Sequence, residues 1–395
     1  MNSNKTSSND IVVTGLGMLT AHGLGLKANV EAFTAPSSRK SQDDYKVVGF
    51  NPAPHLTDRK VIKAVAHRDV LGLVALEDCM KNSGISPQTI NPDRTGLYVG
   101  APPSSCEDHH NYHEGMESSV DASGKLIEKN FGDHFRSASP TTLLNGLPNN
   151  VLCYGSKTMD ARGPNSNYTT LETSSHMAII GASRAMRRNR IDSAIVGGYA
   201  EHGDKVFISS MKARGLYNAT PMAEGAAFAT IETRANAEKR AAKVLCTILA
   251  CNAASDAQGP YKMASEPILA DLITQTLTQA QVKPGDIEVV MTTGSGVAAV
   301  DSAELKAIDA IWSGATKPLV ASTATRWGNL MEAGGVAEIG FLQTCYANKS
   351  VPESAMSEKS AASAQKLNIE RRKAAILRAT PWGEYTCLIV EMAKP

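Results

Sequence analysis

The sequence is short of net charge. Against 40 Lys and Arg stand 39 Asp and Glu, leaving +1 over 395 residues. That balance argues against nucleic acid or an anionic membrane surface as the main partner, because such binding draws on a strong patch of one sign. No apolar run approaches the length needed to span a bilayer. Met1 to Asp10 is polar and lacks the apolar segment of a secretory leader. The seven cysteines (Cys79, Cys106, Cys153, Cys246, Cys251, Cys345, Cys387) are scattered, odd in number and form no C-x-x-C pair. They read as reduced thiols of a cytoplasmic protein. A dinucleotide fingerprint is missing, since Gly15 and Gly17 are followed by Gly23 and not by a glycine at G-x-G-x-x-G spacing. Cys106, Glu107, Asp108, His109, His110, His113 and Glu114 cluster in a polar stretch, but their spacing fits no structural zinc pattern and reads as a hydrated loop. Neither a cofactor nor a metal is expected.

What is present centres on residues 163–201, GPNSNYTTLETSSHMAIIGASRAMRRNRIDSAIVGGYAE. Thr169 to Leu171 read as the end of a buried strand. A helix follows, with Met177, Ile180, Ala182 and Met186 at three- and four-residue steps. Arg187, Arg188 and Arg190 gather at its C-terminal end, where cations suit the helix dipole. Asp192 to Val196 form a buried strand closed by Gly197 and Gly198. Glu172 stands at the turn into the helix, where free N–H groups and partial positive charge make a natural seat for a nucleophile or an anion.

Elsewhere the pattern alternates strand and helix, which implies α/β layering. Ile11 to Leu16 is a strand, with Gly15 and Gly17 making a turn. Residues 59–84 read as one long helix with Val61, Val65, Val70, Leu73, Leu76 and Met80 on its apolar face and Arg59, Lys60, Lys63 and Arg68 making part of it basic. Residues 95–101 give the next strand. From Val244 the order is strand, a loop with Asp256 and Tyr261, helix 266–280, strand 287–291, helix 302–312, strand 318–322, helix 332–347, a polar insertion over 350–366, and strands 374–378 and 386–392.

The central stretch resembles the nucleophile segment of β-ketoacyl synthases, in the thiolase superfamily. There a Gly-Pro is followed by seven residues and then the reactive cysteine; here Gly163-Pro164 is followed by seven residues and then Glu172. Gly197-Gly198 gives the same register from downstream. Val13 to Gly23 resembles the family's opening V-T-G-x-G-x-x-T/S-x-x-G, and Ala223 to Ala229 resembles its G-E-G-A strand, after a loop shortened to GLYNATPM. The resemblance implies a thiolase-like fold, layered α-β-α-β-α, in two pseudo-duplicated halves. The expected division is a tail over 1–10, one half over 11–243 and the other over 244–395.

Condensation in this family needs a cysteine to hold the acyl chain and two histidines to favour decarboxylation and stabilise the oxyanion. By register, Glu172 replaces the cysteine. Thr293 replaces the first histidine in TGSGVAAVDSAE, where the Gly, Asp and Glu spacing of H-G-T-x-T-x-x-x-D-x-x-E is kept. In STATRWGN, Ala324 replaces the lysine and Asn329 the second histidine. Near the C-terminus TPWGEY replaces G-F-G-G-T-N, so the gating phenylalanine is lost. The catalytic set is absent, and the chain is expected not to condense.

The resemblance then points to the chain-length factor, the degenerate ketosynthase partner of type II polyketide systems. Such a subunit forms a heterodimer with a catalytic ketosynthase, stabilises it and shapes the acyl tunnel. Glutamate in place of the usual glutamine, the short loop and the lost gate argue against an aromatic product and leave a polyene-type or fatty-acid-like pathway. Arg59, Lys60, Lys63 and Arg68 are either a solvated helix face or a landing patch for the acyl carrier protein. Glu172 either pairs with Arg326 in the vestigial pocket or caps the helix through N–H groups of Thr173 to Ser175. Two alternatives stay open: a malonyl-carrier-protein decarboxylase using Glu172, and a non-catalytic homodimeric scaffold. A hydrolase built on Ser174, Ser175 and His176 is disfavoured, because adjacent helical residues do not face one another and no G-x-S-x-G elbow frames them.

Overall fold

The computed structural model describes residues 7–34, 41–103, 115–137, 145–201, 205–214, 220–256, 264–356 and 364–394. Ten strands carry the architecture: β1 (Ile11–Thr20), β2 (Thr95–Gly100), β3 (Asn165–Tyr168), β4 (Ser193–Ala200), β5 (Gly225–Thr233), β6 (Cys246–Ser255), β7 (Ile287–Met291), β8 (Leu319–Ala321), β9 (Lys373–Ala379) and β10 (Glu384–Met392). Six helices matter here: α1 (His67–Ser83), α2 (Asn150–Met159), α3 (Ser174–Arg187), α4 (Glu266–Ala280), α5 (Ala298–Ile311) and α6 (Gly334–Asn348).

The spatial strand order is β3-β2-β4-β5-β1-β6-β10-β9-β7-β8. Each half therefore runs, from its outer edge inward, third, second, fourth, fifth, first. The pairing senses match too. β2 is parallel to β3 and β4, and β7 is parallel to β8 and β9; the remaining pairs within each half are antiparallel. This repeated topology is the expected pseudo-duplication. The two β layers of the expected α-β-α-β-α arrangement are joined by hydrogen bonds into one continuous sheet through Ile11↔Ile248, Val12↔Thr247 and Val13↔Cys246.

Layering follows from which faces are apolar. α3 touches β2 and β4 from one half and β6 and β10 from the other, and α6 likewise touches strands of both halves and α3. These two helices form the middle layer, and α6 is buried on most of its circumference, as a helix enclosed on all sides must be. α1 and α2 cover the outer face of the first half, while α4 and α5 cover that of the second. Three apolar clusters fill the gaps. The central one includes Ile179, Val336, Ile339 and Ile376; the outer ones include Leu71, Val74 and Leu97, and Leu269, Ile273 and Trp312.

Three local expectations are corrected. The helix expected over 59–84 is two elements: a 3-10 turn over Arg59–Lys63 and α1 from His67. The break has local causes. The Asp58 side chain accepts from Lys60 N at 3.1 Å, and Asp69 Oδ2 accepts from Ala66 N at 3.3 Å, so each element begins with its own cap. Gly15 and Gly17 do not turn the chain; they lie inside β1. A Cβ on Gly17 would stand 2.2 Å from Ala75 O and from Cys79 N, and one on Gly15 would stand 2.4 Å from Ser83 Cβ. The glycines let the backbone of α1 rest directly on β1. The strand expected to end at Leu171 ends at Tyr168, and Leu171 has φ 50°, outside any strand conformation. Elsewhere α4 and β7 occupy the expected spans, 266–280 and 287–291.

Ala at position 17 has no room without separating α1 from β1. Gly17→Ala is therefore expected to lower the unfolding free energy by about 2–3 kcal/mol or to prevent folding, the range of overpacked cores. Gly285→Ala, where a Cβ meets nothing within 4 Å, is expected to stay within about 0.5 kcal/mol. Urea denaturation of the two variants makes the comparison, and equal effects would remove the close-approach explanation.

Candidate functional site

The site forms where the two central helices begin. The chain leaves β3, takes Leu171 into the left-handed region and makes a 3-10 turn over Leu171–Thr173 that leads into α3. In the second half it does the same: Met331 has φ 41°, a 3-10 turn spans Met331–Ala333, and α6 follows. A left-handed non-glycine residue costs about 1–2 kcal/mol, so the fold carries that strain twice at equivalent places. Each strained residue precedes a buried glutamate, Glu172 in one half and Glu332 in the other, and the two turns touch.

Glu172 is 2% exposed. Asn329 Nδ2 donates to its Oε1 at 3.2 Å, and Oε2 accepts no hydrogen bond. Burial raises its pKa above the ordinary carboxylate value; its own N–H, Arg378 and Asn329 oppose the shift, and Glu332 adds to it. Asn329 is itself held, with Oδ1 accepting from Met331 N at 3.0 Å and its carbonyl accepting from Ala223 N at 3.0 Å.

Thr293 lies just beyond the end of β7. Its hydroxyl donates to Glu304 Oε1 at 2.7 Å, its N–H reaches both Glu304 oxygens at 3.2 Å, and its Oγ1 accepts from Ala379 N at 2.8 Å. Burial pushes Glu304 up to about 8. Asp301, three residues earlier on α5, accepts from Ser295 and Gly296 and pins the loop between Thr293 and the helix. The retained Asp and Glu spacing thus has a structural meaning: both side chains hold the loop that carries Thr293.

Between these groups sits Arg378, on β9 and 2% exposed. Its Nε donates to the Glu172 carbonyl at 3.3 Å and its Nη1 to Glu338 Oε1 at 3.2 Å. Glu338, on α6, also accepts from Thr323 Oγ1 at 3.3 Å, and burial raises it to about 7. A Cβ at position 334 would stand 2.5 Å from Arg378 Nη2, so glycine there makes the seat. Arg378, Glu332 and Glu338 were not singled out from the sequence; a lone arginine within an apolar strand, AAILRAT, is the signal that could have drawn attention to it.

The expected Glu172–Arg326 ion pair does not form. The cation acting on Glu172 is Arg378, while Arg326 is partly exposed on the short helix Ala324–Trp327, where its carbonyl lies 3.0 Å from His22 Nε2. The capping alternative also fails, since the Glu172 carboxyl accepts from Asn329 and no donation from Thr173 to Ser175 is present. Ala324 is buried nearby. His176 is an interior residue: its Nδ1 is 2.8 Å from Thr386 Oγ1 and burial lowers its pKa to about 3, keeping it neutral. Of the basic set, Arg59, Lys60 and Lys63 are exposed. Arg68 is not part of that surface: it is 1% exposed, with Nη1 donating to Pro103 O at 2.9 Å and Nη2 to Gly146 O at 3.3 Å. The cluster from Cys106 to Glu114 and Tyr261 lie outside the described residues. Among the described residues no group of three or more His, Cys, Asp or Glu could hold a metal ion, no helix is long and apolar enough to cross a membrane, and six cysteines are free thiols.

Comparison with known proteins places this geometry. The profile of the beta-ketoacyl synthase N-terminal domain matches residues 29–230, and that of the C-terminal domain matches residues 245–358. The chain belongs to the β-ketoacyl synthase family. A 3-oxoacyl-[acyl-carrier-protein] synthase 2 from Coxiella burnetii is 25% identical over 370 residues, which is 83% of each protein. The polyketide synthase GfsA from Streptomyces halstedii is 24% identical over 280 residues, 66% of this chain; the match spans only 4% of that much longer protein. Among solved structures, a β-ketoacyl synthase from Burkholderia phymatum aligns with a TM-score of 0.83 at 17% identity over 98% of this chain and 100% of that one. The ishigamide ketosynthase/chain length factor aligns with a TM-score of 0.80 at 16% identity over 97% and 99%. A type II polyketide synthase ketosynthase in complex with its acyl-carrier protein gives 0.78 at 16% identity, again over 97% and 99%. These structural likenesses establish the shared thiolase-like ketosynthase fold.

The protonation chemistry of the site can be measured. Glu304 and Glu338 have folded pKa values above the ordinary 4.5. Their contribution to stability is therefore complete below the unfolded value and is lost as pH rises through about 7 and about 8. The urea midpoint is expected to fall between about pH 5 and about pH 8, and Glu304→Gln to flatten the fall; a midpoint independent of pH in this window would contradict the assignment. Glu172→Gln keeps an acceptor for Asn329 and carries no ionisable proton. Its stability relative to the parent is expected to rise with pH, whereas Asn329→Ala is expected to cost about 1–3 kcal/mol at any pH by stranding a buried polar group.

Proposed function

We propose that this chain is a non-condensing companion subunit of the chain-length-factor type, paired with an active ketosynthase in a polyketide or fatty-acid-like pathway. The observation that carries the reading is the state of Glu172. It stands at the head of α3, where by register the family places its nucleophile, and it is a carboxyl group, buried and bonded to Asn329, with its pKa raised by burial. A carboxyl in that state has no thiol chemistry to offer. By the same register Thr293 and Asn329 stand for the two histidines, and each is engaged in a structural contact, with Glu304 and Glu172 respectively.

The subunit's role in this reading is stabilisation and shaping. Its fold supplies the surface and tunnel wall that a ketosynthase partner lacks alone, and the partner supplies the cysteine and both histidines. The likeness to a ketosynthase/chain length factor structure supports the pairing. The exposed Arg59, Lys60 and Lys63 would face an acidic acyl carrier protein delivering the growing chain.

Co-expression with a ketosynthase that keeps the cysteine and both histidines is expected to yield a stable one-to-one complex that elongates a carrier-bound acyl group. The purified chain alone is expected neither to elongate that substrate nor to release carbon dioxide from malonyl-loaded carrier protein. Elongation by the chain alone would overturn the reading. Carbon dioxide release abolished by Glu172→Ala would replace it with a decarboxylase, and a soluble homodimer indifferent to the ketosynthase would replace it with a scaffold.

A further inference from the structure

A cavity of about 470 Å³ opens beside the far end of α3, away from Glu172. One face of the helix lines it with Met177, Ile180, Ser183, Arg184 and Arg187; β6 and α4 supply the opposite walls, including Asn252, Gln275 and Gln279. The volume lies within the usual range for small-molecule pockets.

The chemistry of the lining is one-sided. Arg184 and Arg187 lie one turn apart on the same helix face, and neither has an ion pair or a side-chain hydrogen bond among the described residues. No lining residue is acidic. Ser183 is 4% exposed, and its Oγ has no hydrogen-bond partner. A buried hydroxyl without a partner is costly, and here it borders a cavity that two guanidinium groups also border. The C-terminal carbonyls of α3, which would repel an anion, are already occupied: Arg184 O accepts from Arg188 N, Ala185 O from Arg190 N and Met186 O from Asn189 N. Met177 and Ile180 make the other end of the cavity apolar.

We propose that this cavity binds a phosphate-bearing small molecule, with the two arginines forking the phosphate, the Ser183 hydroxyl completing its hydrogen bonds and an uncharged part of the ligand resting on Met177 and Ile180. Paired arginines suit the tetrahedral, multiply charged phosphate because each guanidinium presents a fixed fork of donors. The inference stands on different residues from the proposed function and is independent of it.

The test uses the full chain and inorganic pyrophosphate, followed by calorimetric titration and by ³¹P line broadening, with malonate as a carboxylate counter-probe. Saturable pyrophosphate binding is expected. Arg184→Gln combined with Arg187→Gln, both at exposed positions, is expected to weaken it at least about tenfold, the scale of one lost charge-assisted contact. Ser183→Ala is expected to weaken it less, and Arg190→Gln to leave it unchanged. Absent binding, or binding unaltered in the double variant, overturns the site. Malonate binding as tightly as pyrophosphate overturns the phosphate assignment.

Discussion

The interior of this protein depends on one buried cation. Removing a guanidinium from water costs several kcal/mol unless its donors are satisfied. Arg378 meets that demand with the carbonyl of Glu172 at the head of α3 and the carboxylate of Glu338 on α6. Three elements distant in sequence, namely β9 and the two central helices, are therefore fixed to one another at the point where both helices begin. The same cation sets the charge state of its surroundings. Glu172, Glu304 and Glu338 are buried and feel it, and a single positive charge cannot hold three ionised carboxylates in a desolvated interior. Burial raises all three pKa values, and the one cation offsets only part of the rise.

The twofold repeat in the chain explains why the groups converge. Equivalent strands of the two halves carry equivalent strained turns, and the helices that follow meet in the middle layer. Whatever residue occupies the second place of one turn therefore faces the counterpart of the other. In this chain both places hold glutamate. In the proposed reading, the repeat once served to bring catalytic groups together. Here it brings together a carboxyl, an amide and a hydroxyl that bond to one another or to neighbouring acids.

The architecture was legible in the sequence because layers are written in hydrophobic periodicity. The spans of α4 and β7 and the apolar face of α1 follow from spacing alone, and the choice of Glu172, Thr293 and Asn329 as candidates follows from glycine-anchored registers. The partners of those residues did not. Arg326 was the cation nearest in register to the pocket, yet its side chain belongs to a short surface helix, while Arg378 arrives from a strand 206 residues beyond Glu172. Register reports which residues share an element; it does not report which of two arginines the fold turns inward. Arg68 shows the same limit from the other side. Its neighbours Arg59, Lys60 and Lys63 are exposed and basic, but the break before α1 rotates Arg68 into the interior, where main-chain carbonyls take its donors. Gly15 and Gly17 look like turn residues in one dimension and prove to be contact points between a strand and a helix.

The persistence of the strained turn before Glu172 needs a reason apart from catalysis if the chain does not condense. Packing supplies one. The first turn of α3 lies so close to the end of β2 that a Cβ on Gly100 would stand 2.7 Å from Ser174 Cβ, and the turn before α6 lies so close to β4 that a Cβ on Gly198 would stand 2.2 Å from Glu332 O. His176, on α3, fills the space left by Gly335 on α6. A relaxed turn at Leu171 would withdraw the head of α3 from β2, from α6 and from Arg378 together, leaving the buried Arg378 Nε without its acceptor. The cost of that retreat exceeds the roughly 1–2 kcal/mol held in one left-handed residue. Packing therefore holds the turn whatever side chain it presents, because the middle layer cannot close without it.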